Sequence, residues 1–176
     1  ASAIAARVQN VLTYGKEHYN GEFTSEETLK NVTLQDVINH YNTYFVPSNA
    51  YLVVIGDVKT ADVKKKVEEL FGADVWKKAT APNLTYNDPK DLQYSQINFV
   101  DVPNAVQSEI ALINLSKLKM NDKDYFAAIL ANQILGGGGE GRLFLNLREK
   151  HGWTYGSYSN LGASKYISKF SSTASV

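Results

Sequence analysis

The sequence predicts an α+β protein, in which antiparallel strands and amphipathic helices share one chain of 176 residues. Apolar residues recur at helical spacing in several segments, and short runs of β-branched and aliphatic residues lie between those segments. The turn-forming pair Pro103-Asn104 separates two of these runs, which favours an antiparallel hairpin. Since 44% of the residues are apolar, the chain can bury a sizeable core.

The first part of the chain is predicted to be mainly helical. A helix is expected over residues 1–13, followed by a loop that contains two glycines. Thr24 with Glu27 indicates a capping box over one short turn, and Thr33 with Asp36 indicates a second box that starts a longer helix. That helix is expected to end before the first proline of the chain, because the residue preceding proline avoids helical angles.

A buried strand and another helix are expected next. Tyr51–Ile55 is an uninterrupted apolar run, which is typical of a strand buried on both faces. Thr60 is expected to cap the following helix, and Gly72 is expected to end it in a left-handed conformation. Pro82 and Pro89 then lie among polar residues, as in a connector between two packing units.

We therefore divide the chain into residues 1–80, a connector at 81–92 and residues 93–176. In the last part, residues 96–102 and 108–115 are expected to pair as the hairpin around Pro103-Asn104. Closing strands are expected over 154–161 and 166–173, which are rich in aromatic and β-branched residues.

Two helices are expected between these strands. Asn121 and Asp124 are expected to cap the first helix, which continues into the glycine run Gly136–Gly141. The second helix is expected over Arg142–Lys150 and is ended by Gly152. We interpret the glycine run as a flexible connector between the two helices.

Composition excludes several classes of function. Eighteen basic residues balance eighteen acidic ones, so no overall charge attracts nucleic acid or an anionic membrane surface. The absence of cysteine excludes disulfides, thiolate zinc sites and cysteine nucleophiles. No apolar run approaches the ~20 residues that span a bilayer, and the N-terminus lacks a signal-peptide pattern. We expect a soluble protein without membrane insertion. The sequence leaves its compartment open, and bacterial cytoplasm and periplasm are both compatible with it.

The sequence does not support a dinucleotide site, a zinc-protease site or a serine-hydrolase site. The glycine run matches G-x-G-x-x-G, but a helix precedes it where a dinucleotide fingerprint needs a strand. His18, His40 and His151 form neither H-E-x-x-H nor H-x-x-E-H, and we expect no metal site in this chain. His18 and His40 are interpreted as loop and surface groups. G-x-S-x-G is also missing, which argues against a serine hydrolase.

Arg148 and Tyr155 are the strongest candidates for chemistry. Gly152 lies between them and allows a sharp turn, so that both side chains can reach the same side of the chain. Arginine offers a planar fork for carboxylates or carbonyls, and tyrosine offers a neutral hydroxyl donor. Taken without any family resemblance, the residues favour the simpler interpretation, in which Arg148 is a member of a surface ion pair and Tyr155 is a strand aromatic.

The segment around this pair resembles a known family. Residues 142–155 follow R-L-F-x-x-L-R-E-K-x-G-x-x-Y, which is similar to the second-domain signature of the pitrilysin/insulinase zinc peptidases. Residues 44–58 follow Y-x-x-P-x-N-A-x-L-V-V-x-G-D-V, which resembles another passage of the same family. The resemblance implies two related α+β halves, each an antiparallel sheet with helices packed on one face, and both are expected to be incomplete here.

The resemblance also implies a function. Arg148 and Tyr155 map onto the family residues that bind the substrate backbone and stabilise the oxyanion during peptide hydrolysis. The chain would then be the non-zinc portion or subunit of a zinc metallopeptidase, with zinc in a missing domain or a partner subunit and a peptide as substrate. By itself it is not expected to be active. Because exposed strand edges pair readily, we also expect the isolated chain to form a homodimer.

Two other functions compete with this one. The first alternative is a catalytically inactive scaffold or assembly protein of the same fold, since some relatives of such enzymes lack the zinc motif. The second is a nucleotide-binding module based on the glycine run. The sequence does not identify the peptides, the oligomeric state or the role of Gly136–Gly141.

Overall fold

The structure is a computed structural model that describes residues 2–176, arranged as two compact units. One unit contains the chain up to Phe23 together with Tyr86–Val176, and the other contains Thr24–Thr85. None of the helices in the described residues is long and apolar enough to cross a membrane.

The unit Thr24–Thr85 is built from short helices. Its elements are α2 (Glu26–Lys30), α3 (Leu34–Tyr44), a 3₁₀ turn (Pro47–Asn49) and α4 (Thr60–Phe71). The box that starts α3 is confirmed: Thr33 Oγ1 accepts from the Asp36 amide at 3.2 Å, and Asp36 Oδ2 accepts from the Thr33 amide at 2.8 Å.

Three predictions at other helix ends are wrong. The box of α2 uses Ser25 and Thr28, one residue later than predicted, because the Thr28 hydroxyl accepts from the Ser25 amide. Lys59 rather than Thr60 is the N-cap of α4, without a side-chain bond. Gly72 ends α4 with φ −63°, so no left-handed conformation is needed there.

The predicted strand Tyr51–Ile55 does not form. The segment joins no sheet, and its terminal residues, Tyr51 and Ile55, are 95% and 92% exposed. A strand requires neighbours that satisfy its backbone hydrogen bonds, and the described unit Thr24–Thr85 contains no strand. The apolar run therefore indicates a strand that lacks its partners.

The other unit contains the sheet. Its elements are α1 (Ser2–Tyr14), β1 (Glu109–Ser116), α5 (Tyr125–Gly136), a π-helix (Phe144–Lys150), β2 (Ser157–Leu161) and β3 (Ser168–Ser175). The three strands are antiparallel in the order β1-β3-β2. This combination of helices and an antiparallel sheet confirms the predicted α+β class.

The predicted hairpin is wrong. Residues 96–102 form no strand, and β1 pairs with β3, which places Ile110 opposite Ala174. The turn itself is present, with Asn104 in the left-handed region at φ 62°. The last two strands form, but they begin later than predicted, at Ser157 and Ser168.

Helix α5 packs on β2 through small residues. Gly136, the last residue of α5, lies so close to Ser159 that an added Cβ would be 2.7 Å from the Ser159 amide nitrogen. Asn132 Nδ2 donates to the Ser159 carbonyl at 3.3 Å. Asp124 is the N-cap residue of α5, as predicted, but it makes no side-chain bond there, and the predicted Asn121 lies before the cap.

Candidate functional site

The end of the π-helix positions Arg148. The helix Phe144–Lys150 is wider than the α-helix predicted there, and the His151 amide donates to the Asn146 carbonyl five residues back at 3.2 Å. Gly152 then turns the chain with φ +64°, a left-handed conformation that glycine adopts without a steric penalty. Its amide donates to the Arg148 carbonyl at 2.8 Å, so the turn is fixed to the arginine.

Thr154 holds the other side of this turn. Its side chain is buried, and its hydroxyl lies 2.6 Å from the Ser175 carbonyl oxygen at the end of β3. The same hydroxyl oxygen accepts from the Gly156 amide at 3.2 Å. Since one hydroxyl can donate one bond and accept another, Thr154 ties the segment that carries Tyr155 to the sheet.

The guanidinium of Arg148 lies over two aromatic rings. Its Cζ is 4.8 Å from the ring centroid of Phe144 and 4.7 Å from that of Tyr155. Both distances are within the ~6 Å range of cation–π attraction. The predicted pair Arg148 and Tyr155 is therefore brought together, as a stack rather than through a hydrogen bond.

The edge of the guanidinium is largely free. Its ion-pair partner is Glu149, with Nε 3.5 Å from Oε1, and both side chains are partly exposed. Exposed pairs of this kind contribute little, because water screens them. The Tyr155 side chain is 81% exposed. The ring faces thus hold the arginine, while its N–H donors remain available to a carbonyl or carboxylate ligand.

Two residues of this site were not singled out from the sequence. Phe144 is buried and stacks on Arg148, and Tyr158 of β2 lies behind it, with ring centroids 5.7 Å apart. The contact of Phe144 with Arg148 could have been predicted from the sequence, because the two residues are four apart on one helix and side chains at that spacing meet. No local sequence pattern links Tyr158 to Phe144 and Arg148, because Tyr158 reaches them through the position of β2 in the sheet.

The histidines lie away from this stack. His18 is 6% exposed and lies 5.2 Å from the ring of Tyr14 and 4.3 Å from that of Tyr19, so the prediction of a surface group is wrong. Its Nδ1 accepts from the Asn20 amide, which satisfies the buried ring nitrogen. His40 stacks near Tyr44 and His151 near Trp153.

Within residues 2–176, no three histidine, aspartate or glutamate side chains lie close enough together to hold a metal ion. The described part of the chain therefore offers no set of side chains that fits a zinc ion.

Comparison with known proteins identifies the family. The model described as peptidase M16 inactive domain matches residues 31–175, which include the whole Arg148–Tyr155 segment. The chain belongs to the peptidase M16 inactive-domain family. The resemblance to metallopeptidases seen in the sequence is thereby confirmed.

Among curated proteins, the chain is similar to the probable inactive metalloprotease YmfF of Bacillus subtilis (strain 168). The two are 22% identical over 148 residues, which is 84% of this chain and 33% of the relative. The chain thus spans about a third of the curated relative that it matches.

Solved structures share its fold. A peptidase M16 inactive domain from Pseudomonas fluorescens has a TM-score of 0.82 at 24% identity, and a protease from Helicobacter pylori has 0.78 at 21%. The match covers 98% of this chain and 41% of the first structure, and 92% of this chain and 39% of the second. A conserved protein from Enterococcus faecalis V583 has a TM-score of 0.68 at 20% identity, over 98% of this chain and 40% of that one.

Proposed function

We propose that this chain is a catalytically inactive M16 domain that serves as a scaffold and assembles with a zinc-bearing M16 domain. The observation that carries the proposal is the exposed strand-like segment Tyr51–Ile55. Its five consecutive apolar residues carry no charge, and the segment has no strand neighbour in its unit. A strand with apolar residues on both faces is stable only inside a sheet that is covered on both sides.

The flanking helices support the same proposal. Helix α3 precedes the segment and α4 follows it, and both have apolar side chains at helical spacing that remain exposed. These side chains are Leu34, Val37, Ile38, Tyr41, Leu70 and Phe71. The two helices and the apolar segment between them need neighbouring strands to cover their apolar surfaces, and a second M16 domain would supply those strands.

The test is co-purification of this chain with a zinc-bearing M16 polypeptide from the same organism, expressed together with it. We expect a stable complex, and we expect Val53→Lys to weaken association at least tenfold because it buries an unpaired charge between strands. Val75→Lys is the matched control, since Val75 lies in the same unit, outside the segment, and is also exposed.

Equal binding by the two variants would reject Tyr51–Ile55 as the assembly segment. The homodimer expected from the sequence is tested in the same experiment by light scattering on the chain alone. A concentration-dependent dimer that Val53→Lys disrupts would mean that a second copy, and not a zinc-bearing domain, supplies the neighbouring strands.

A second candidate function is favoured by the Arg148 stack. We propose that Arg148 and Tyr155 assist peptide hydrolysis in the assembled protein, where the zinc-bearing domain provides the metal. The free edge of the guanidinium would donate to a backbone carbonyl of the peptide, and the exposed Tyr155 hydroxyl would donate to the oxyanion that develops at the reacting carbonyl.

This role is tested by turnover of a quenched fluorescent peptide library with zinc. The chain alone should be silent, and the complex should cleave peptides. Tyr155→Phe removes the hydroxyl and keeps the ring, so a catalytic role predicts a loss of turnover of about 10²- to 10³-fold. Unchanged turnover, or a complex without activity, would leave the scaffold function alone.

A further inference from the structure

We infer that Phe144 is a positioning residue, which holds the guanidinium of Arg148 in the plane from which it binds a peptide carbonyl or carboxylate. The inference rests on the second candidate function, because it assumes that Arg148 is the ligand-binding group. It adds a residue that touches no ligand and acts through the arginine.

Three aromatic rings and the guanidinium form this cluster. The ring centroids of Tyr158 and Phe144 are 5.7 Å apart, and the Arg148 Cζ lies 4.8 Å from the centroid of Phe144 and 4.7 Å from that of Tyr155. Of the two rings that contact the arginine, Phe144 is 9% exposed whereas Tyr155 is 81% exposed. The buried ring is therefore the fixed wall, and the exposed ring is the one that a ligand can reach.

Phe144 is held from several directions. It is the first residue of the π-helix, so its backbone is fixed in the same element as Arg148. On the glycine side, an added Cβ on Gly139 would lie 3.9 Å from its Cε1, which is ordinary contact. With Tyr158 of β2 on another side, the ring has little freedom to move and presents one face to the arginine.

A salt bridge is the competing explanation for the position of Arg148. Glu149 is the ion-pair partner, but the contact is 3.5 Å through Nε alone, and the glutamate side chain is 56% exposed. An ion pair with an exposed glutamate restrains a guanidinium weakly, because water screens the attraction. The ring faces are therefore the stronger restraint, and they leave the donor edge uncovered.

The experiment follows the Arg148 Nε–Hε signal by nuclear magnetic resonance in the 176-residue chain. In the wild type the guanidinium lies over ring faces, so its proton signals should be shifted upfield by the ring currents. Phe144→Leu keeps an apolar side chain without a ring face, and we expect the signal to move downfield toward that of an exposed arginine. Phe144→Tyr restores the face and should restore the signal.

Phe126→Leu is the matched control, because it makes the same change at an exposed phenylalanine on α5. It should leave the Arg148 signal unmoved. A signal that stays at its wild-type position in Phe144→Leu would overturn the inference, and so would a signal that Phe144→Tyr fails to restore.

The affinity for a peptide separates this inference from the function on which it rests. The probe is an acetylated, amidated and fluorescein-labelled decapeptide, followed by fluorescence anisotropy in the complex with the zinc-bearing domain. Loss of one ring face should weaken binding about three- to tenfold in Phe144→Leu. If Arg148→Ala leaves the affinity unchanged, the arginine is not the binding group and the second candidate function fails, whatever the resonance signal shows.

Discussion

Thr33 and Asp36 show how two side chains start a helix. Each satisfies the backbone amide of the other, and the Asp36 carboxylate also accepts the Thr33 hydroxyl proton at 2.6 Å. Two hydrogen bonds from Thr33 lower the pKa of Asp36 below its ordinary value. The bond from the side chain has the larger effect, and the bond from the backbone amide has the smaller one. The carboxylate form is therefore the one that helix α3 requires.

A prediction follows for pH. Thr33→Ala should destabilise helix α3 by about 1 kcal/mol at neutral pH, because an amide loses its acceptor. Since the folded pKa of Asp36 is lowered, the stabilisation by its carboxylate is present above the ordinary value of 3.8 and is lost as the pH falls through the folded pKa. The difference between wild type and variant, measured by circular dichroism, should thus shrink in acid. A difference that grows would contradict it.

Thr154 is a second residue whose hydroxyl decides local structure. Thr154→Val preserves the shape but leaves the part-buried Ser175 carbonyl and Gly156 amide without this partner. We expect the opening free energy of the surrounding amides to fall by about 1–3 kcal/mol, measured by native-state hydrogen exchange. Thr173→Val, at an exposed position of β3, serves as the control and should change it by less than about 0.5 kcal/mol.

At the scale of elements, α5 and β2 approach closely because Gly136 lacks a side chain. A Cβ there would lie 2.7 Å from both Leu143 Cδ1 and the Ser159 amide nitrogen, closer than van der Waals contact. Gly136→Ala should therefore lower the free energy of unfolding by about 1–3 kcal/mol. Gly138→Ala is the matched control, because the nearest atom would be 3.6 Å away. Equal thermal stability of the two variants would disprove the packing argument.

This packing also bears on the glycine run. The sequence indicated a flexible connector, but the run begins inside α5, where Gly136 is buried against the sheet. Repeated glycine is compatible with flexibility and with close packing alike, and the sequence alone does not separate the two. A double substitution at Gly137 and Gly138 would disturb packing as well as flexibility, since a Cβ on Gly137 would lie 2.7 Å from the Gln133 Cα.

Local chemistry explains which elements could be predicted. The Thr33 box depends on residues three apart, and the turn at Gly152 depends on one glycine, so both are visible in the sequence. Strand pairing depends on distant residues. The apolar run Tyr51–Ile55 and residues 96–102 have strand composition but no ladder in this chain, and β1 pairs instead with β3, about 60 residues later.

The candidate site follows the same division. The proximity of Arg148 and Tyr155 follows from the turn between them, whereas their part in hydrolysis stays a prediction. The contact between Phe144 and Arg148 could have been predicted from their helical spacing. Tyr158 joins the stack because β2 pairs with β3, and that pairing is a property of the sheet rather than of any local pattern.

At the scale of the whole molecule, the chain buries little of its apolar surface. Of the apolar residues in the range 2–176, those that are buried are Tyr14, Val46, Phe144 and Ile167. An ordinary domain of this length gains heat capacity of about 2 kcal/mol/K on unfolding, in proportion to the apolar surface that unfolding exposes. Because many apolar side chains of this chain are already exposed in the folded state, unfolding exposes much less additional apolar surface.

We therefore expect the isolated chain to unfold with less than about half of that heat-capacity change, measured by scanning calorimetry. It should also bind the dye anilinonaphthalene sulfonate, because apolar faces are accessible to the dye. Assembly with a zinc-bearing M16 domain should raise the heat-capacity change by more than the sum of the separate components and displace the dye, since it covers these faces. A full heat-capacity change without dye binding would mean that the chain completes its own core, and the scaffold function would then lose its physical basis.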